Sequence, residues 1–306
     1  MRNIGKYLIK GLLSLFAAIP LRAHYAISGF VAYLACSVLH YRTDDVMINL
    51  SRCFPEKNNY ELRALKKEFY RHFAKVIVET VWFGGCRNPQ RLRDSHIVEI
   101  ANPELLARMY EESPSVVVMY THCGNWELMG GIINYNYSDA DIPVSEDNYC
   151  VVYRRMSSRV WDEIMRDNRF APVKDKRNFD GYVESEMLVR YVFTHRDLKK
   201  IYNVNTDQRP YFPGPEYMKV NFLHQECQTM TGAAALAHKF GFSVVYQRMA
   251  ERADGYGYTL EYVPICGNAA DMSVENIMKR YYELLENDIK EQPHNYLWSH
   301  RRWVQI

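Results

Sequence analysis

Cysteine is scarce and unpatterned in this chain, with seven residues at positions 36, 53, 86, 123, 150, 227 and 266. An odd, scattered set without a Cys-x2-Cys pair argues against a disulfide framework and against a cysteine metal site. Internal repeats and low-complexity tracts are missing, and no linker interrupts the chain after its first segment. The net charge is only +2. No basic stripe with interleaved aromatics accompanies it, so nucleic acid is not an expected partner. Acidic residues are missing altogether from residues 1 to 42, where Arg2, Lys6, Lys10, Arg22 and Arg42 stand. No small-residue cleavage site followed by a hydrophilic region occurs there, which argues against a removed signal peptide.

What is present is apolar. Hydrophobic residues make up 48% of 306 positions, enough to bury a large core as one big domain or two small ones. In the acid-free segment, Leu8, Leu12, Leu15, Phe16 and Ile19 recur at helical spacing, as do Ile27, Phe30, Val31, Leu34 and Val38. Pro20 and Arg22 divide the two sets. Residues 23 to 41 are barely long enough to cross a bilayer, which takes about 20 apolar residues. The expectation is two short helices lying in or dipping into a membrane interface, basic side chains near anionic headgroups. This divides the chain into residues 1–42, a membrane-anchoring helical segment, and residues 43–306, a catalytic domain.

Beyond the anchor, apolar runs alternate with helical stripes. Val116 to Tyr120 reads as a strand buried on both faces, and Cys150 to Tyr153, Ile201 to Thr206 and Ser243 to Gln247 as further strands. Tyr258 to Val263 alternates like an outer strand. Asn58 or Asn59 is placed to cap a helix carrying Leu62, Leu65, Phe69, Phe73, Val76, Ile77 and Val81. Ser157 or Ser158 begins another, Thr231 to Phe240 stops at Gly241, and Ser273 starts the last. The fold class expected is α/β, with a mixed, mainly parallel sheet flanked by helices.

The chemistry concentrates after Tyr120, where the run breaks into Thr121, His122, Cys123, Gly124 and Asn125 before a helix near Trp126. A strand opening into a glycine turn and a helix is where α/β sheets place ligands. Glu127, five residues after His122, is close enough to orient its ring, so that His122 takes a proton from an alcohol. The spacing does not suit a metalloprotease zinc site, and no metal or other cofactor is expected. Cys123 reads as inert packing rather than a nucleophile.

The segment His122-Cys-Gly-Asn-Trp-Glu127 resembles the His-x4-(Asp/Glu) signature of the bacterial lipid A biosynthesis acyltransferases, relatives of the lysophospholipid acyltransferases. Further resemblances follow in the family's order: Asn49-Leu50 with Cys53-Phe54-Pro55-Glu56, Val152-Tyr153-Arg154, and Asp207-Gln208-x-Pro210. Met230-Thr231-Gly232 with Leu236-Ala237, and Trp298-x-His300-Arg301-Arg302-Trp303, complete the set. Arg155 stands where the family often has proline, and Cys123 replaces a commoner aromatic or small residue.

The resemblance implies a glycerolipid-acyltransferase-like domain that moves an acyl chain from acyl carrier protein or coenzyme A to a lipid hydroxyl. A lipid A precursor is the foremost acceptor; a lysophospholipid or an aminoacyl lipid also presents a hydroxyl near an anionic group. A hydrolase on the same fold is the other reading, as is a non-catalytic membrane-binding protein. His122 and Glu127 are the expected catalytic pair, with Arg154, Asp207, Asn125 and Gly232 binding substrate. An apolar tunnel is expected beside His122, with Trp126, Leu128, Met129 and Ile132 as its wall. His300, Arg301 and Arg302 are expected to touch headgroups, and the cytoplasmic face of the inner membrane is the expected location.

Overall fold

A computed structural model describes residues 2–135, 144–210 and 217–303. Two helices open it, α1 (Arg2–Ala18) and α2 (Leu21–Tyr33), and α2 continues into a π-helical turn over Leu34–Val38. Helices α3 (Thr43–Cys53) and α4 (Asn59–Phe83) follow, then α5 (Pro89–Asp94), β1 (Val98–Ile100) and α6 (Pro103–Glu112). The apolar run becomes β2 (Val116–Tyr120), and the segment after it is a 3-10 helix, Trp126–Asn134. Next come β3 (Tyr149–Tyr153), α7 (Arg159–Arg169), β4 (Tyr182–Glu184), α8 (Leu188–Thr194) and β5 (Ile201–Asn205). A separate hairpin, β6 (Met218–Phe222) and β7 (Gln225–Thr229), precedes α9 (Gly232–Phe240), β8 (Ser243–Glu251), β9 (Tyr258–Cys266) and α10 (Val274–Glu291).

Seven strands form one sheet in the order β1-β9-β8-β2-β5-β3-β4. Every neighbouring pair is parallel except β8 with β9. The sheet is therefore mixed and mainly parallel, with helices on both faces. Tyr258 to Val263 is not an outer strand: β1 pairs with it and closes that edge. Three residues are too few to show any periodicity, so the covering strand left no pattern in the sequence.

Strand β2 is buried along its whole length because both faces are covered. Val117 and Met119 pack on one side with Tyr202, Val244, Tyr246 and the buried residues of α9 and α10. Val116, Val118 and Tyr120 pack on the other with Leu128, Met129, Ile132, Leu260 and Tyr262. Because β2, β3 and β5 are mutually parallel, the turns after all three emerge at one end of the sheet. That common end builds the site.

The first segment packs on the domain, with α2 lying along α4. No single helix among the described residues is long and apolar enough to cross a membrane; Gly5–Ala18 and Leu21–Val38 reach that only as a pair bent by 118°. Contrary to the expectation of basic side chains near headgroups, Lys6 and Lys10 turn toward the domain. They pair with Glu163 and Asp167 of α7, at 2.7 and 2.6 Å, one helical turn apart on each helix. Arg42 donates to the backbone oxygen of Ser299 at 2.8 Å. The outward face of α1 carries Tyr7, Leu8, Leu12, Leu15 and Phe16, all exposed.

Two helix starts follow the capping signals, while Ser158 stands before α7 without a side-chain capping bond. The Asn58 side chain accepts from the N–H of Tyr60 and Glu61 while Glu61 returns a bond to the Asn58 N–H, a complete capping box. Ser273 accepts from the Asn276 N–H, and Gly241 ends α9 at φ +65°. Replacing Asn58 by alanine removes both capping acceptor bonds and is expected to lower stability by about 1 kcal/mol, read from the urea midpoint.

Candidate active site

The turns after β2, β3 and β5 surround a cavity of about 430 Å³. His122, Glu127, Arg154 and Gly232 line it, together with Trp126, Met129, Arg169 and Gln208. Space is open above Gly232, where an added Cβ meets nothing within 4 Å. Trp126 and Met129 are wall residues as expected. Leu128 and Ile132 do not line it; both are buried in the core beneath, packed with Met129.

His122 is oriented by Asp207, not by Glu127. Its Nδ1 lies 2.7 Å from Asp207 Oδ1, and its backbone N–H donates to Oδ2 at 3.3 Å. Register explains the pairing. Tyr120 of β2 sits beside Asn205 of β5, and the Thr206 N–H donates to the Tyr120 oxygen at 3.1 Å. The two residues that follow on each strand therefore come out side by side. Burial works against the Asp207 charge, but the hydrogen bonds of His122 and the charge it carries when protonated outweigh it, holding this carboxyl below its usual range. An ionised carboxylate only accepts, so Nδ1 carries a proton; an amide nitrogen only donates, so the two amides that face Nε2 suit a neutral ring with its lone pair there. The side-chain amides of Gln208 and Asn205 meet that nitrogen at 2.9 and 3.4 Å. The Trp126 ring packs edge-on against the imidazole, centroids 4.7 Å apart.

Glu127 pairs instead with Arg169 at the end of α7. Two parallel bonds join them, Nε to Oε2 at 2.9 Å and Nη2 to Oε1 at 2.8 Å. The Arg169 guanidinium lies 5.4 Å from the Tyr153 ring centre, and its Nη1 is buried with no hydrogen-bond partner among the described residues. Nothing in the sequence marks Arg169, which stands three residues after another arginine on an ordinary helix. Arg154 is exposed at the cavity mouth, while Arg155 is turned away to Glu184 at 2.8 Å.

Two residues expected to contact substrate stand behind the wall. Asp207 is 1% exposed and Asn125 fully buried, and neither lines the cavity. Asn125 Oδ1 accepts the Glu127 N–H at 3.2 Å and starts the 3-10 turn. Cys123 is buried and its thiol is pushed well above the usual value by that burial, so it is not poised as a thiolate.

Apart from Arg301, which is exposed, the C-terminal motif does not face outward. Trp298 and Trp303 are buried, and Arg302 is 1% exposed. Its guanidinium donates to the Asp207 backbone oxygen at 2.7 Å, to the Gln228 oxygen at 2.8 Å and to the Tyr282 hydroxyl at 2.8 Å. Arg301 pairs with Asp45 at 3.0 Å. Burial, with a smaller contribution from His122, pushes His300 down to about 4, so its ring is neutral at pH 7. No group of three or more His, Cys, Asp or Glu among the described residues suits a metal ion.

A family model described as bacterial lipid A biosynthesis acyltransferase matches residues 1–164 and 212–305 of this chain. The stretch between contains Arg169, Asp207 and Gln208. The lipid A biosynthesis lauroyltransferase of Escherichia coli (strain K12) is 22% identical over 296 residues, covering 96% of this chain and 89% of its own.

The Asp207 pairing has a pH signature with a defined sign. A carboxyl whose folded pKa lies below its unfolded value stabilises the fold above the unfolded pKa and loses that contribution as pH falls through the folded one. The difference in unfolding free energy between wild type and Asp207→Asn is expected to shrink as pH falls below about 4. Urea unfolding at successive pH values measures it; a difference independent of pH would contradict an ionised Asp207.

Proposed function

The chain belongs to the family of bacterial lipid A biosynthesis acyltransferases and is an acyltransferase; from that premise we propose that it transfers a fatty acyl chain from a thioester to a lipid hydroxyl with His122 as general base. The observation that carries the reading is the His122 ring, held at Nδ1 by buried Asp207 and at the edge of a cavity lined by cations and apolar side chains. The donor is acyl carrier protein or coenzyme A, and the acceptor a lipid A precursor.

In this mechanism the acceptor hydroxyl displaces the Gln208 amide from Nε2. Its proton passes to Nε2, its oxygen attacks the thioester carbonyl, and a tetrahedral oxyanion forms. The C–S bond then breaks and the imidazolium returns the proton to the departing sulfur, leaving an ester and a thiol. Asp207 stabilises the imidazolium while it exists, the part a carboxylate plays in hydrolase triads. Such base catalysis contributes about 10²- to 10⁴-fold. Arg154 and Arg169 supply the positive field at the cavity for the oxyanion or for a phosphate near the hydroxyl. Glu127 belongs to the machinery by setting Arg169 rather than by touching His122. Met129, Val152, Val204 and Leu188 give the acyl chain apolar surface.

Membrane association on the cytoplasmic side of the inner membrane belongs to the same reading. It is supported by the exposed face of α1 with Ile27, Phe30 and Tyr33 of α2. Apolar side chains outward and Lys6 and Lys10 tied inward describe a segment lying on a membrane rather than crossing it. Residues 1–42 are then the membrane-contacting part and residues 43–306 the catalytic part.

His122→Ala is expected to lower transfer at least about 10²-fold with the melting temperature nearly unchanged, measured with acyl carrier protein thioester and lipid A precursor in micelles. Turnover near wild type would sink the mechanism. Free fatty acid formed without acylated lipid would mark a hydrolase instead.

The outward face of α1 is tested separately. The triple variant Leu8→Glu, Leu12→Glu, Leu15→Glu is expected to remain folded and to stop pelleting with vesicles of anionic and zwitterionic phospholipid. Pelleting equal to wild type would move the contact surface elsewhere.

A further inference from the structure

Glu79 of α4 is a buried carboxylate that the mechanism does not use. It is 1% exposed, deep between α4 and the sheet. Three neutral donors converge on it from three different elements. Oε1 accepts the Tyr25 hydroxyl of α2 at 2.8 Å. Oε2 accepts the Tyr258 hydroxyl of β9 at 2.9 Å and the Asn125 amide at 3.0 Å. Asn125 is held a second time by the Val76 oxygen, at 3.3 Å from its Nδ2, and Thr80 donates to its Oδ1 at 3.4 Å. That same Oδ1 accepts the Glu127 N–H. One buried chain of hydrogen bonds therefore runs from α2 to the turn that carries Glu127.

A buried carboxylate is costly, and burial pushes this one upward despite three donors that favour its charge. Core packing alone does not call for it, since an apolar side chain of similar size fills the volume without an ionisable group. Its bonds do something packing cannot. Asn125 carries both a donor and an acceptor on one amide, and Glu79 Oε2, the nearer of two α4 acceptors with the Val76 oxygen, turns its donor toward α4 and its acceptor toward the Glu127 N–H.

Resting on the acyl-transfer reading above, we propose that Glu79 is a positioning residue. It fixes the Asn125 amide, which in turn fixes the 3-10 turn carrying Glu127 and hence Arg169, and it ties that turn to α2 through Tyr25. The cavity wall is thereby set by the seating of the first segment, although none of the residues lining the cavity comes from that segment.

Exchanging the two groups tests this. Asn125→Asp alone sets two carboxylates face to face, which forces a shared proton. Its kcat is expected to fall about 10- to 100-fold at pH 8, as for a small misplacement far from the chemistry, with KM little changed. Relative to wild type at the same pH, it recovers on lowering pH. Combining it with Glu79→Gln restores an amide facing a carboxylate with the positions reversed, and kcat is expected to return to within a few-fold of wild type. Amide exchange over residues 126–134 follows the same order, fast in the single variant and slow in the double, and in Tyr25→Phe it is faster than in wild type.

A double variant as impaired as the single one, in both kcat and exchange, overturns the positioning role. Exchange in Tyr25→Phe identical to wild type overturns the tie to α2. Absence of transfer in wild type itself refutes the acyl-transfer reading instead, and the exchange measurements still decide whether Glu79 holds the turn.

Discussion

The arrangement of the site depends on one hydrogen bond, His122 Nδ1 to Asp207 Oδ1 at 2.7 Å, made between the ends of two parallel strands. It requires β2 and β5 to be neighbours in a fixed register, because a slip of one residue turns the side chains to the other face. It also requires Asp207 to stay put while buried and charged. Arg302 does this from the far end of the chain, holding the Asp207 carbonyl, the β7 backbone and Tyr282 with one guanidinium. An always-charged planar group with several donors suits that task, and lysine would reach fewer partners. The C-terminal motif is thus part of the site's foundation.

Two carboxylates near the cavity divide the electrostatic work. Asp207 faces a histidine and holds its lone pair outward; Glu127 faces an arginine and holds a cation in the wall. The division follows from the backbone. Gly124, at φ +67°, turns the chain away from the strand direction, and a Cβ there would strike Met249. Glu127 then begins a 3-10 turn directed at α7, while Asp207 follows β5 straight to the imidazole. Both pairs are partly or wholly buried, where charge–charge interaction is less screened than at the surface.

The first segment joins the domain by polar contacts on one side and shows apolar side chains on the other. Lys6 and Lys10 match Glu163 and Asp167 at equal spacing, Arg91 donates to the Ala17 and Ile19 oxygens, and Tyr25 reaches Glu79. Helix α7 thus meets α1 with its acidic side and ends in Arg169 at the cavity. Surface seating and cavity wall share helix α7.

Much of the fold was legible in the sequence. The continuous apolar run 116–120 has to be a strand covered on both faces, Asn58 and Ser273 fall at helix starts, and Pro20 divides the first two helices. His122 was legible too, because a strand that ends in polar and glycine residues marks a ligand site in this fold class. Its partner was not. Sequence distance favoured Glu127, five residues away, over Asp207, 85 residues away. Only the order of strands decides that β5 lies beside β2, and nothing local encodes strand order. Arg169 and Glu79 were invisible for a similar reason. Each looks like an ordinary charged residue on an amphipathic helix, and its role exists only once distant elements pack around it. The chain's local pattern determines which elements form and where polar chemistry interrupts them; tertiary packing determines which charges meet, because pairing depends on distance in space.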